Sequence, residues 1–340
     1  MKAFLLKYYR PFLKTVAFVL IFVLLFSYVQ DIFGLKGSGY GKYTYYNRET
    51  ENTVDVIYFG NSRCNRAFDP LVVDDIAGTY SYNLGIQGLR AKHVYIRMQD
   101  AFKTQTPGLV IIETGIFTSG ASATLEEQYN HRTLVSLPTS VFKLKAAVEL
   151  AETKEKAVEL FLPLLRFHSR YKEIGSVDFI YNRSINDEYD YDNRSSEEVM
   201  QTHRGYTSYP TNKKLKDSYH SVFTKDYSTI TELAELDEET VEYLDRMVEL
   251  CRSIDAQILF VSVPAVAKSA GATLTVPISN YLADRYAADE DIAVLDMYLN
   301  YAEIGLDYMY FQNTSHLNVS GAQLVSTYMG EYIAEHYGSD

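Results

Sequence analysis

Short apolar runs alternate with longer stretches of helical periodicity along most of the chain, and this pattern predicts an α/β fold. Uninterrupted runs of Val, Ile, Leu and Phe are typical of strands buried on both faces, whereas apolar residues at every third or fourth position indicate amphipathic helices. The predicted strands lie at 54–59, 80–84, 109–113, 258–264 and 293–296. Because helices separate these strands, we expect one parallel sheet with right-handed crossovers.

The helical pattern is clearest in the second half of the chain. Predicted helices lie at 71–76, 91–104, 141–162, 236–251, 278–286 and 319–336. Asp237 is a predicted N-cap, because a carboxylate there accepts backbone N–H bonds and suits the positive end of the helix dipole. The predicted buried face of that helix carries Val241, Leu244, Met247, Val248 and Cys251.

The region from about 117 to 234 breaks the alternation of strands and helices. It contains the helical stretch 141–162 and an acidic, tyrosine-rich segment at 187–192. We interpret it as an insertion, or cap, over the carboxyl edge of the sheet, within a domain that covers 54–340. Loops on a rigid scaffold commonly give an active site its substrate specificity.

The first 33 residues predict a membrane anchor. Four basic residues precede or border the apolar run 15–29, which with its apolar neighbours approaches the ~20 residues that cross a bilayer. The basic flank is expected in the cytoplasm, which gives a single-pass type II protein with an extracytoplasmic domain. A cleaved signal peptide is the alternative, but the bulky Phe26, Tyr28 and Val29 leave no small-residue cleavage site.

Residues 34–53 are predicted to form a tether. The stretch 34–46 is rich in Gly, Tyr and Lys, a composition that suits a connector more than a regular element.

Composition excludes a disordered chain and argues against a nucleic-acid partner. With 340 residues and 47% hydrophobic content the chain can bury a large core. Its net charge is −12, and the anchor segment is itself basic, so the remainder is strongly acidic. Lys213, Lys214 and Lys216 form either a local basic patch or a solvated charge run. The two cysteines, Cys64 and Cys251, are expected to be free and buried rather than paired.

Two short motifs carry candidate chemistry. The first predicted strand runs into Gly60-Asn61-Ser62, which places Ser62 at the carboxyl edge of the sheet, where α/β proteins bind their ligands. His316 lies in a loop just ahead of the last predicted helix. A serine hydroxyl becomes a useful nucleophile when a base takes its proton, and histidine is the commonest base. Ser62 as a loop or cap residue, and His316 as a helix cap, are the structural alternatives.

These motifs, together with Gly85 in Tyr82-Asn83-Leu84-Gly85, resemble the SGNH/GDSL hydrolase superfamily. The nearest resemblance is to its membrane-anchored, extracytoplasmic branch, similar to proteins that assist alginate O-acetylation and teichoic-acid D-alanylation. It covers roughly 54–115 and 255–336, and it implies a three-layer, flavodoxin-like parallel sheet.

The resemblance implies roles for four residues. Ser62 would be the nucleophile, His316 the general base and then acid, and Gly85 an oxyanion donor beside the N–H of Ser62 or its neighbour. Asn313 stands where the family has an aspartate. It can accept a hydrogen bond from the imidazole but supplies no charge, so a Ser-His dyad or a degenerate site is the alternative. Gly85 can equally be a turn residue.

Further candidates are polar residues at the carboxyl edge or in the insertion. The predicted edge contacts are Asn83, Gln87 and Glu113, where Glu113-Thr114-Gly115 replaces the family's Gly-x-Asn-Asp block. By resemblance, His168 and Arg170, with Gly205-Tyr206, would line the acceptor site. No metal site and no cofactor are predicted, because His131, His203 and His220 lack partners at ligand spacing and are taken as surface loop residues.

The predicted function is serine-dependent ester chemistry on a cell-envelope glycopolymer, either O-acyl (often O-acetyl) transfer or ester hydrolysis. By resemblance, a multi-pass membrane-bound O-acyltransferase is the expected donor partner. The alternative from another class is a binding or assembly protein of the cell envelope that keeps the fold and has lost the chemistry.

Overall fold

The computed structural model describes residues 2–33, 38–118, 123–166, 202–208, 213–267 and 271–338. The chain separates into two compact units. One, called here the helical unit, comprises Met1–Lys36 and Leu137–Asp187, and the other, the α/β unit, comprises Gly37–Ser136 and Glu188–Asp340.

A five-stranded parallel sheet forms the centre of the α/β unit. Its strands are β1 (Val56–Phe59), β2 (Ser81–Asn83), β3 (Leu109–Glu113), β4 (Gln257–Ser262) and β5 (Ile292–Asp296), in the order β2-β1-β3-β4-β5. All five predicted strands are confirmed, with ends that differ by up to two residues. The order reverses between β1 and β3, so the carboxyl ends of these two strands border the crevice where doubly wound sheets bind ligands.

Helices cover the sheet and complete both units. In chain order they are α1 (Lys2–Phe33), α2 (Ser38–Tyr46), α3 (Ser62–Ala67), α4 (Pro70–Ala77), α5 (Ala91–Ala101), α6 (Ala123–Val135), α7 (Val141–Leu150), α8 (Lys154–Phe161), α9 (Pro163–Arg166), α10 (Glu238–Arg252), α11 (Ala272–Arg285), α12 (Tyr301–Ile304) and α13 (Val319–Tyr337). A short antiparallel pair, β6 (Phe311–Asn313) and β7 (His316–Leu317), precedes α13.

Two helix predictions in the second half of the chain needed correction. Asp237 does cap α10, accepting a hydrogen bond from the Thr240 N–H at 2.8 Å, but the buried face includes Tyr243 in place of Val241. Tyr243 packs against Tyr95 of α5, with ring centroids 5.8 Å apart. The helix predicted to begin at 278 begins at Ala272, and Pro277 lies inside it.

The predicted tether is wrong for residues 38–46, which form helix α2. Lys42, Tyr43 and Tyr46 of this helix are fully buried in the α/β unit. The Tyr46 hydroxyl donates to the Ala101 carbonyl at 3.0 Å, and its ring packs edge-on against Tyr82. Tyrosines with partners for their hydroxyls can build core as well as surface, so a Gly- and Tyr-rich composition did not exclude a packed helix.

The helical unit contains α1, α7, α8 and α9. Within α1, Tyr8–Gln30 is long and apolar enough to cross a membrane, with a mean hydropathy of 2.4. The predicted helix 141–162 is divided at 151–153, where the Thr153 hydroxyl accepts from the Lys156 N–H and starts α8.

The predicted insertion 117–234 does not form one unit. Its residues 137–166 belong to the helical unit, whereas α6 and the segments 202–208 and 213–234 belong to the α/β unit. Segment 202–208 runs beside β2, where the Asn83 N–H donates to the Arg204 carbonyl at 2.9 Å. Gly205 follows with φ of 91°, and a Cβ there would lie 2.1 Å from the Asn83 carbonyl oxygen.

Candidate active site

Ser62 is the first residue of α3, directly after the turn that ends β1. The Asn61 side chain accepts from the Arg63 N–H at 2.9 Å and so caps the helix. Gly60 makes the turn possible, because a Cβ at this position would lie 2.6 Å from Cys64 Cβ and 2.7 Å from Glu113 Cβ. The backbone therefore turns sharply from β1 into α3 and leaves Ser62 half-buried at the edge of the sheet.

His316 reaches Ser62 from the far end of the chain. Its Nε2 lies 2.7 Å from Ser62 Oγ, and its Nδ1 lies 3.0 Å from Asn313 Oδ1. The tight β6–β7 connection holds Asn313 and His316 side by side. The structure thus brings together the three predicted catalytic residues, in the order nucleophile, base and orienting group.

The backbone around Asn313 determines which imidazole nitrogen carries the proton. The N–H groups of Ser315 and His316 point to one atom of the Asn313 side chain, at 2.9 and 3.1 Å, so that atom is the amide oxygen. An oxygen accepts, and the His316 Nδ1 facing it must therefore donate. This leaves the Nε2 lone pair towards Ser62, whose hydroxyl donates to it, as a general base requires.

The surroundings of His316 favour the neutral imidazole. Its pKa is lowered to about 4, chiefly by burial and then by the positive charges of Arg66 and Arg63. Asn313 contributes no negative charge that would oppose this shift. The ring is therefore neutral and able to take a proton throughout the neutral pH range.

A buried ion pair lies beneath α3. Arg63 and Glu113 meet at 2.9 Å, and both side chains are almost wholly buried. Glu113 also accepts from the Gly115 N–H at 3.0 Å, and burial raises the pKa of its carboxyl. A Cβ on Gly115 would lie within 2.7 Å of both Arg63 and Asn61. Glu113 therefore supports the residue beside Ser62, and its predicted contact with substrate is not supported.

Asn83 and Gly85 hold α3 against the sheet. Asn83 is fully buried, and its Nδ2 donates to the carbonyls of Cys64 and Phe68 at 3.0 and 2.7 Å. Its Oδ1 accepts from the Gly85 N–H at 3.0 Å. A Cβ at Gly85 would lie 2.7 Å from the Asn65 nitrogen, so glycine permits this close approach. The predicted substrate contact of Asn83 is therefore not supported, and the Gly85 N–H is already hydrogen-bonded.

No family model matches this chain, and no curated protein matches it. The geometry around Ser62 is therefore the basis for a functional assignment.

The remaining predicted contacts are separate from this arrangement. Gln87 is exposed, and its carbonyl accepts from the Arg132 guanidinium at 3.2 Å. His168 and Arg170 lie outside the residues that the structure describes.

The prediction that His131, His203 and His220 are surface loop residues is wrong for two of them. His131 is buried on α6, and His203 pairs with Asp69 at 2.7 Å, whereas His220 is exposed 3.3 Å from Asp307. No group of three metal-ligating side chains occurs among the described residues.

Besides Arg63, sequence reasoning missed two further cations beside the site. Arg66 lies one helical turn after Ser62 and donates to the carbonyls of Thr207 and Ser208 at 2.9 and 2.5 Å. Lys42 of α2 donates to the Gly85 carbonyl at 2.7 Å and to Asn65 Oδ1 at 2.5 Å. The i, i+4 spacing of Ser62 and Arg66 was a usable signal, whereas nothing local marked Lys42.

Proposed function

We propose that this protein is a membrane-anchored serine esterase or O-acyltransferase of the SGNH type that acts on a cell-envelope glycopolymer. One observation carries the proposal, the hydrogen-bonded chain from Ser62 through His316 to Asn313. Its distances lie within the range expected of a nucleophile, its base and an orienting group. The proposed membrane location is supported by α1, whose basic flank would stay in the cytoplasm.

The chemistry would proceed in two steps. In the first, Ser62 Oγ attacks the acyl carbon while His316 Nε2 takes its proton, and the ester oxygen leaves with that proton. In the second, His316 deprotonates a water or a sugar hydroxyl, which attacks the acyl-serine. The bond from the acyl carbon to Ser62 Oγ then breaks, and His316 returns the proton to Oγ. The acceptor decides between hydrolysis and transfer. A multi-pass O-acyltransferase in the same membrane is the proposed donor partner.

We expect Ser62 to form a covalent adduct with an organophosphonate, because its hydroxyl is hydrogen-bonded to a neutral imidazole. The full-length protein in detergent is treated with the reagent, and its intact mass is measured. Ser62→Ala should show no mass increase, and His316→Ala should react far more slowly. Ser315→Ala, which removes a neighbouring hydroxyl, is the matched control and should react like wild type. Absence of an adduct on wild type, or an adduct that persists in Ser62→Ala, would refute Ser62 as nucleophile.

Activity should persist to lower pH than in an enzyme whose histidine base has an ordinary pKa. His316 acts as a base only when neutral, so kcat/KM should fall as pH drops through about 4, the lowered pKa of this residue. Arg66→Gln removes a charge that lowers this pKa. The acidic limb of the variant's plot of kcat/KM against pH should therefore move to higher pH. Arg252→Gln, a charge change not among the causes of the shift, should leave the limb in place. An unshifted limb in Arg66→Gln would contradict this electrostatic assignment.

The second candidate function is a binding or assembly protein with the same fold. It is favoured by the N–H groups beside Ser62, since those of Gly85 and Arg63 already donate to the side chains of Asn83 and Asn61. An active site would present such donors to a developing oxyanion. A wild-type protein that fails to react with the phosphonate would favour this candidate.

A further inference from the structure

Helix α7 carries apolar side chains on two opposite faces. One face is buried and includes Ala146 and Leu150. The other is exposed, with Val141 at 71%, Leu144 at 45% and Val148 at 60%. At 100° per residue these three side chains lie within about 60° of one another, on the side away from the buried face. The exposed face therefore differs from the polar face expected of a surface helix that packs on one side only.

Helix α8 extends this exposed surface. Val158 is 46% exposed, and a cleft of about 390 Å³ between the two helices is lined on its apolar side by Leu144, Val148 and Val158. We call Val141, Leu144, Val148 and Val158 the apolar patch. Single exposed apolar side chains are ordinary, but a cluster indicates an interaction surface. In the rest of the described chain outside α1, exposed large apolar residues occur singly along the sequence.

Contacts within the helical unit show which part of α1 lies nearest to the helices that carry the apolar patch. The candidate span Tyr8–Gln30 has 23 residues, about 34 Å of helix, which matches a hydrocarbon core about 30 Å thick. Gln30, at the end of the span, is buried, and its Oε1 accepts from the Leu164 N–H of α9 at 2.8 Å. Helix α9 packs on α8, which packs on α7. These short helices therefore lie near the end of the span, where a membrane surface would be.

We propose that the apolar patch rests on the lipid bilayer, with its side chains among the upper acyl chains. This inference rests on α1 spanning the membrane, which is part of the proposed function. Interfacial helices bury an apolar face about 5–10 Å into the boundary between headgroups and chains. Lys145 and Glu149, exposed beside the patch on α7, would then lie among the headgroups. A lipid surface is favoured over a protein partner because the patch belongs to the same unit as the span.

The test measures depth in the membrane with full-length protein in lipid vesicles. Single cysteines at Val148→Cys and Val158→Cys carry a bimane fluorophore, and quenching by brominated lipids is compared with unbrominated lipids. Leu24→Cys in the middle of the span is the control for the anchor, and Glu149→Cys is the matched control on α7. Cys64 and Cys251 are buried, and the small labelling of wild type is subtracted.

We expect labels at 148 and 158 to lose fluorescence, most strongly with bromines near the headgroup end of the chains. The label at 24 should respond best to deeper bromines, and the label at 149 should be quenched less than that at 148. Quenching at 24 but not at 148 and 158 would overturn the patch and leave the anchor intact. A blue shift at 148 without bromine quenching would also overturn it, because a protein would then cover the surface. Absence of quenching at 24 would refute the anchor and, with it, this inference.

Discussion

Asn313→Asp is expected to increase hydrolysis of an aryl acetate, and Asn313→Ala to decrease it. In serine proteases the reverse exchange, from the triad acid to its amide, costs about 10⁴ in kcat, which sets the upper bound for a gain here. The N–H groups of Ser315 and His316 already donate to the Asn313 oxygen and would stabilise a carboxylate in its place. A charge there would also raise the pKa of His316, so the acidic limb should move to higher pH.

The increase in hydrolysis rate should remain below that bound. A group that accepts a hydrogen bond from the Asn313 side-chain NH₂ would face a carboxylate oxygen in the variant, and that contact is unfavourable. Gln312→Glu is the matched control, since it adds the same charge on the alternate face of β6. Steady-state kinetics of these variants, with His316→Ala as the baseline, give the answer. If aspartate lowers the rate and alanine leaves it unchanged, Asn313 does not orient the base and the site is a Ser-His dyad.

Arg63→Met is expected to cause the largest loss of stability, because it leaves the buried Glu113 without its cation. Removing one partner of a buried ion pair typically costs about 3–5 kcal/mol. In a unit of roughly 250 residues this corresponds to a fall in Tm of about 6–20 °C. Thermal unfolding of the detergent-solubilised protein, followed by circular dichroism, measures the change.

The double variant Arg63→Met, Glu113→Gln should recover most of the lost Tm, because glutamine is neutral and still accepts from the Gly115 N–H. Arg252→Met is the matched control. That arginine pairs with Asp289 at 41% exposure, where water replaces the lost partner, so its Tm should change much less. A double variant no more stable than Arg63→Met would contradict the uncompensated-charge explanation.

The strands and the Ser62–His316 pair could be predicted because their signals are local. Short runs rich in apolar and aromatic residues marked all five strands, and the carboxyl ends of parallel strands meet at one edge. A serine after β1 and a histidine before the last helix were therefore expected to be close. The resemblance of these two motifs to a known hydrolase pattern pointed to the same pairing, and in the structure the two side chains lie 2.7 Å apart.

The roles of Asn83 and Glu113 could not be predicted in the same way. Both were correctly expected near the carboxyl edge, but sequence position does not show whether a polar side chain faces the crevice or the interior. Asn83 meets backbone carbonyls of α3, and Glu113 meets an arginine 50 positions earlier in the chain. Buried polar groups need partners, and these partners come from long-range packing that a one-dimensional pattern does not contain.

Because of Lys42, the α/β unit needs helix α2 as well as the strands of its sheet. Its ammonium is the buried donor for the Gly85 carbonyl and Asn65, next to the helix that begins at Ser62. Burial also lowers the pKa of this lysine to about 7. A cut in the chain ahead of Ser38 would leave this support in place, whereas a cut after Tyr46 would keep every strand of the sheet and separate the donor from them. Cuts at the two ends of α2, about ten residues apart, would therefore differ in whether the site around Ser62 keeps this support.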